Sequence, residues 1–317
     1  MKARAVGFVA LLVAFAAAGR SVTVDSALPP YEARVVEPPT NASYLTPTGA
    51  IAVVGYNDMA EMLHALGARF GELHPDFRFA WDLPGTKAAP AALAGGRSAF
   101  APMGAPMTPS QLADYVAVTH APPLVFRVAH ASLSSKALSG PLAIFVHRDN
   151  PLASLSLPEL AAVFSGTDHA RGLRPCGVEA EAALGLFFRE RVLGGQKFAA
   201  EFVGVPQSAE VVRRVGEDVH AIGFAAACRA TPGVKMLALA AQTGGVPVAV
   251  TDENVAAGRY PLDRHLLICA RPPLAPWLRE FLRFVFSRDG QAIIAAGTLG
   301  YLPLNAGDAA AERAKLP

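Results

Sequence analysis

No CxxC pair, HExxH helix, GxSxG elbow or GxxxxGK[ST] loop occurs in the 317 residues, which removes the common signatures of zinc centres, serine hydrolases and nucleotide hydrolases. The eight histidines are scattered, so neither a metal nor a cofactor is expected. Cysteine is scarce: Cys176, Cys228 and Cys269 are odd in number and far apart, so an oxidising compartment permits one disulfide, of open pairing. A free buried cysteine is ordinarily inert packing. A Cys176–His or Asp58–His pairing is the thin remaining basis for a hydrolase of the phosphatase kind. No Lys/Arg-rich run with interleaved aromatics is present and the net charge is only +2, which argues against nucleic acid. Internal repeats and long low-complexity segments are also missing.

The one long apolar run, residues 5–18, follows Lys2 and Arg4 and ends in Ala16-Ala17-Ala18. Charge, apolar stretch and small residues in that order predict a signal peptide over residues 1–18, cut near Gly19. The run is short for a membrane span. No cysteine follows to carry a lipid. The mature chain, which loses two positive charges with the leader and becomes neutral, is expected to be soluble in the periplasm or secreted, without membrane insertion. Residues 19–48, with Pro29-Pro30, Pro38-Pro39 and Thr46-Pro47, read as an extended lead-in.

Residues 139–166 (SGPLAIFVHRDNPLASLSLPELAAVFSG) are the most legible part of the chain. Residues 142–147 form an apolar run between Gly140-Pro141 and Asp149-Asn150-Pro151, the pattern of a buried strand. Ser156 and Glu159 make a capping box, Leu155 and Leu160 a hydrophobic staple, and Ser165-Gly166 a left-handed stop. Upstream, residues 50–54 predict a buried strand and residues 77–81 a second. Residues 99–103 predict a third strand and residues 124–129 a fourth. Between them lie a helix with Met59, Met62, Leu63, Leu66 and Phe70 on one face, opened by an Asp58/Glu61 capping box, and a helix opened by Thr108-Pro109-Ser110. His64 falls off the apolar stripe and is expected in solvent. Downstream, residues 172–177 read as the end of a strand, residues 178–193 and 211–215 as helical, residues 222–226 as a strand and residues 260–269 as strand-like. In the tail Trp277, Phe281, Phe284 and Val285 stripe one helix and Ser287 caps the next. Strands and helices alternating in this way define an α/β chain with ligand loops at the strands' carboxyl ends.

A strand, an Asn-Pro turn and a Leu-rich helix ending Phe-Ser-Gly, followed in order by Ala221-Ile222-Gly223-Phe224, Tyr260-Pro261-Leu262 and residues 287–304 (SRDGQAIIAAGTLGYLPL), resemble the PstS-like solute-binding proteins of the type 2 periplasmic binding protein superfamily. The resemblance covers roughly residues 49–304. It implies a two-lobed α/β fold, each lobe a mixed sheet flanked by helices, with residues 49–138 plus 266–308 as lobe 1 and residues 139–265 as lobe 2. It also implies capture of a small anion such as phosphate in the cleft, for delivery to an ABC permease. An envelope or secreted protein that keeps the fold for adhesion or signalling is the alternative.

In such a fold, helix N-termini aim free N–H groups into the cleft. Three turns qualify: Tyr56, Asn57 and Asp58 after Gly55; Gly85, Thr86 and Lys87; and Arg174 with Gly177 in the segment that ends at Glu179. Lys87 at a helix start opposes the dipole, which favours a functional reason for it. The chain departs from the family pattern at three places. Tyr56-Asn57-Asp58 replaces a Ser/Thr-rich loop, and Ala105 stands where an Arg is usual. Cys176 to Glu179 replaces Ser-Gly-Thr, and Glu179 would oppose an anion.

Overall fold

Apolar, β-branched residues build the first strand, β1 (Ile51–Val54), which runs parallel to β2 (Phe79–Asp82) with Ile51 opposite Phe79 in a computed structural model that describes residues 23–168 and 171–316. The leader expected at residues 1–18 lies outside the described residues. Between the strands, a 3-10 turn (Asn57–Met59) enters α1 (Ala60–Leu73), whose Met62, Leu63, Leu66 and Phe70 are buried while His64 stays exposed. The Asp58/Glu61 capping box does not form. The 3-10 turn consumes Asp58 before the helix begins, so its carboxylate accepts from Leu138 N and Tyr301 Oη, and Glu61 accepts from Thr298.

After a 3-10 turn (Thr86–Ala88) come α2 (Ala89–Ala94), β3 (Ala101–Met103), α3 (Pro109–Thr119) and β4 (Leu124–His130). Thr108 and Gln111 close the box at α3. The chain crosses into β5 (Leu142–His147), β6 (Ser154–Ser156) and α4 (Leu157–Ser165), with the Ser156/Glu159 box formed and Gly166 left-handed at φ 76°. Next are β7 (Arg174–Val178), α5 (Ala183–Arg191), β8 (Val203–Val205), α6 (Ser208–Glu217), β9 (Ala221–Ala226), β10 (Val234–Met236), β11 (Ala238–Ala240) and α7 (Asp252–Ala256). The chain returns through β12 (His265–Ala270) to α8 (Pro276–Val285), α9 (Arg288–Ala295) and α10 (Ala306–Arg313).

Two groups of sheets result. β12 lies between β3 and β4, antiparallel to both, beside the β1-β2 pair. The other group is a mixed sheet in the order β10-β5-β9-β7-β8 with a β11-β6 pair alongside. Each has its own aromatic core. In the first, Phe70 of α1 meets Phe281 of α8 edge-on at 5.3 Å, so the C-terminal helices cover the N-terminal strands. In the second, Phe188 stacks on Phe224 at 4.3 Å, with Phe164 against both. The described part of the lead-in is fastened to the first core: Leu28 is fully buried, Tyr31 Oη donates to Glu280, and Arg288 donates to the carbonyls of Ser26 and Leu28.

The disulfide that the composition permits does not form. All three cysteines are free and buried, and burial pushes the thiols up, to about 11 at Cys176 and about 12 at Cys269.

Candidate functional site

The carboxyl ends of β1, β2 and β3 are tied together by their own turns. Gly85 N donates to Gly55 O at 2.9 Å, Tyr56 N to Pro102 O at 3.0 Å, and Gly104 N to Thr86 Oγ1 at 3.1 Å. Gly85 sits at φ 133°, which only glycine adopts without strain. A Cβ on Gly104 would lie 2.4 Å from the Tyr56 ring, so the ring occupies the space a side chain would need. The structure therefore brings Tyr56, Asn57, Asp58, Gly85, Thr86 and Lys87 into one neighbourhood. Asn57 and Lys87 are exposed, and Lys87 makes no hydrogen bond or ion pair among the described residues.

Behind these turns a buried polar chain crosses from the first group of elements to the second. Tyr56 Oη pairs with Ser139 Oγ at 2.9 Å. Tyr301 Oη donates to Asp58 Oδ2, which also accepts from Leu138 N at 2.8 Å. Burial raises both tyrosines above the ordinary phenol value, with Asp58 adding to the effect. Beside them lies Arg264, only 9 % exposed. Its guanidinium donates to Gly104 O at 3.2 Å and to Gly140 O at 3.4 Å, and Phe187 of α5 covers it with the ring centroid 5.9 Å away. Burial lowers the guanidinium from its ordinary value, opposed by Tyr56, Asp263 and Tyr301. Among the described residues no carboxylate forms an ion pair with it. A buried cation whose partners are carbonyls, beside two phenols and a serine hydroxyl, is an arrangement that an anion would complete, because attraction is far stronger there than in water.

Arg174 and Gly177 do not join this group. The expected turn is instead strand β7, parallel to both β8 and β9, with Arg174 opposite Ala221 and Gly177 opposite Phe224. Leu142, the first residue of β5, pairs with Ala226, so the end of the sheet nearest the crossing is the carboxyl end of β9. Arg174 is at the other end, 71 % exposed and bonded to Asp218 at 2.9 Å. It lines a cavity of about 460 Å³ walled by Cys176, Arg214, Glu217 and Asp218, all in the second group. Gly177 is a packing position, where a Cβ would fall 2.2 Å from the Phe224 ring.

Sequence reasoning missed Arg264, Ser139 and Tyr301. A signal existed for the first: Arg264 is a cation between Leu262 and the apolar Leu266-Leu267-Ile268, a place where charge is seldom buried without purpose.

The comparisons with known proteins bear on the family and the fold. The PBP superfamily domain matches residues 40–289, and the chain belongs to that superfamily. Among characterised relatives, the phosphate-binding protein PstS of Pseudomonas aeruginosa is 29 % identical over 320 aligned positions, covering 92 % of this chain and 91 % of that one. Among solved structures, an ABC-type phosphate transport receptor from Vibrio cholerae superposes with a TM-score of 0.53 at 21 % identity, over 79 % of this chain and 98 % of the other. PstS from Borrelia burgdorferi does so with a TM-score of 0.53 at 15 % identity, over 80 % and 98 %. The shared architecture is the two-lobed α/β fold of periplasmic binding proteins.

Proposed function

We propose that this chain is an extracytoplasmic solute receptor that closes on phosphate or a closely related oxyanion and presents it to an ABC permease. Residues 49–138 with 266–308 serve as lobe 1 and residues 139–265 as lobe 2. The observation that carries the reading is Arg264, a buried guanidinium without a carboxylate partner where the two groups of elements meet. The Tyr56 and Ser139 hydroxyls and the backbone N–H groups of Asn57, Asp58, Thr86 and Lys87 are the donors available nearby, since those of Tyr56 and Gly85 are already spent on carbonyls, and Lys87 adds a charge at the rim with no ion pair among the described residues. Arg264 takes the part that an arginine at Ala105 would have played, reaching the Gly104 carbonyl from the returning chain. The names and 29 % identity of the Pseudomonas relative support phosphate as the ligand and transport as the use. Placement outside the cytoplasm rests on the predicted leader; among the described residues no helix is long and apolar enough to cross a membrane. The role is binding without turnover.

The test is thermal denaturation of the mature protein with phosphate, sulfate and methylphosphonate at fixed ionic strength. Binding to the folded state raises the melting temperature with the logarithm of free ligand. A shift with phosphate supports the reading; no shift with any oxyanion at millimolar concentration shifts the balance to the adhesion or signalling role.

A further inference from the structure

Asp263 and His265 flank Arg264 in sequence and meet His130 in a second polar group that the anion site does not use. β4 and β12 place His130 directly opposite His265, so both rings leave the sheet on one face. Their centroids are 4.7 Å apart. Asp263 Oδ2 lies 2.6 Å from His130 Nδ1 and 3.5 Å from His265 Nε2, and one donor atom of each residue falls within 4.8 Å of the others. The three side chains are 1 %, 8 % and 18 % exposed for His130, Asp263 and His265. Nε2 of His130 and Nε2 of His265 are both buried without a hydrogen-bond partner, and such orphaned groups call for an explanation.

We propose that His130, Asp263 and His265 form a binding site for a divalent cation of the zinc class. Two imidazole nitrogens and one carboxylate oxygen suit that ion, and three protein ligands leave a fourth position for water. The adjoining cavity, about 320 Å³ and walled by Arg127, Arg191, Tyr260 and Asp308, supplies the water and the route in. The charge of Arg127 does not oppose the ion freely, since its guanidinium is held by Glu312 at 2.5 Å and Asp308 at 3.6 Å. When the ion takes His130 Nδ1, the ring proton moves to Nε2, and Asp308 Oδ2, 3.7 Å away, is placed to accept it. No proton is lost in that shift. Asp308 then fixes the tautomer, as carboxylates behind metal-bound histidines do. His265 binds through Nε2, with its proton on Nδ1. Because Asp263 Oδ1 also accepts the Arg264 backbone N–H at 2.7 Å, an ion here pins the segment that carries Arg264. The cation site stands independently of the anion reading.

The experiment is calorimetric titration of metal-stripped, untagged mature protein with Zn²⁺, with Co²⁺ absorbance and imidazole nitrogen NMR as second readouts. One equivalent of Zn²⁺ should bind. His130→Gln and His265→Gln should each weaken it tenfold or more, Asp308→Asn by roughly 10- to 100-fold, and His64→Gln, on the exposed face of α1, not at all. Absence of saturable uptake, or equal uptake by wild type and His265→Gln, overturns the proposal. Should the histidine variants fail to fold, the wild-type NMR decides: Zn²⁺-dependent shifts at both His130 and His265 support the site, and unmoved resonances overturn it.

Discussion

Arg264 is held in place by two carbonyls and an aromatic face, none of which neutralises its charge. A buried cation left this way is costly to folding, and the cost is offset when an anion arrives. Its neighbours contribute ordinary stability. Tyr56→Phe removes the bond to Ser139 and should lower unfolding free energy by about 0.5–1.5 kcal/mol, measured by urea titration. A second buried polar group sets a pH dependence. Burial holds His74 below its ordinary 6.5, with Glu280 opposing. The unfolded chain then takes up a proton that the folded one resists. Stability from this group is complete above pH 6.5 and is lost as pH falls toward the folded value. His74→Gln should flatten that part of the stability profile, and an unchanged slope would show that other groups set it. At this scale the sequence was least legible. That the turns of Tyr56, Asp58 and Lys87 lie together could be read because each turn follows a strand. Arg264 could not, because its partners Gly104 and Gly140 lie far along the chain and only folding brings them together. Arg174 misled because a charge beside glycine and proline resembles a ligand turn.

Elements were readable where local chemistry and tertiary context agree. The stretch over β5 and α4 carries its own strand, cap, staple and stop; the strand, cap and stop form, and both leucines of the staple are buried in the same core. Ser156→Ala removes the cap and should cost about 1 kcal/mol. The backbone N–H of Ser156 also holds the Glu159 carboxyl below the ordinary 4.5. The stabilisation it gives is therefore present above that pH and lost as pH falls through the folded value, and Glu159→Gln should remove this acid-side loss. β7 was legible only in part, since residues 172–177 read both as the end of a strand and as a ligand turn. Pro175 and Gly177 are poor strand residues, and the segment is extended only because β8 and β9 flank it and the Phe224 ring fills the place of a Cβ. Gly177→Ala should destabilise the fold by roughly 1–3 kcal/mol through overpacking, with phosphate affinity unchanged in the folded fraction. A loss of affinity without a loss of stability would return Gly177 to the site. The short strand β6 and helix α10 went unforeseen because each is settled by partners distant in sequence, β11 for one and β4 for the other.

For the whole molecule, ordered motifs were enough to give the architecture, since a two-lobed α/β chain needs only the sequence of its elements. They could not give the proposed site, whose residues come from both halves and from the crossings between them: Tyr56 and Gly104 from one side, Phe187 from the other, Ser139, Gly140 and Arg264 from the connections. Phe187 lies over Arg264, so in the proposed reading an anion enters only if that cover moves. The central claim is that an oxyanion binds at Arg264 and not at Arg174. Phosphate titration by calorimetry on wild type, Arg264→Gln and Arg174→Gln tests it most directly. Loss of a charge-assisted bond worth roughly 1.5–3 kcal/mol predicts that Arg264→Gln binds about 10- to 100-fold more weakly, while Arg174→Gln matches wild type. Equal affinity in wild type and Arg264→Gln, or weakening confined to Arg174→Gln, would contradict it.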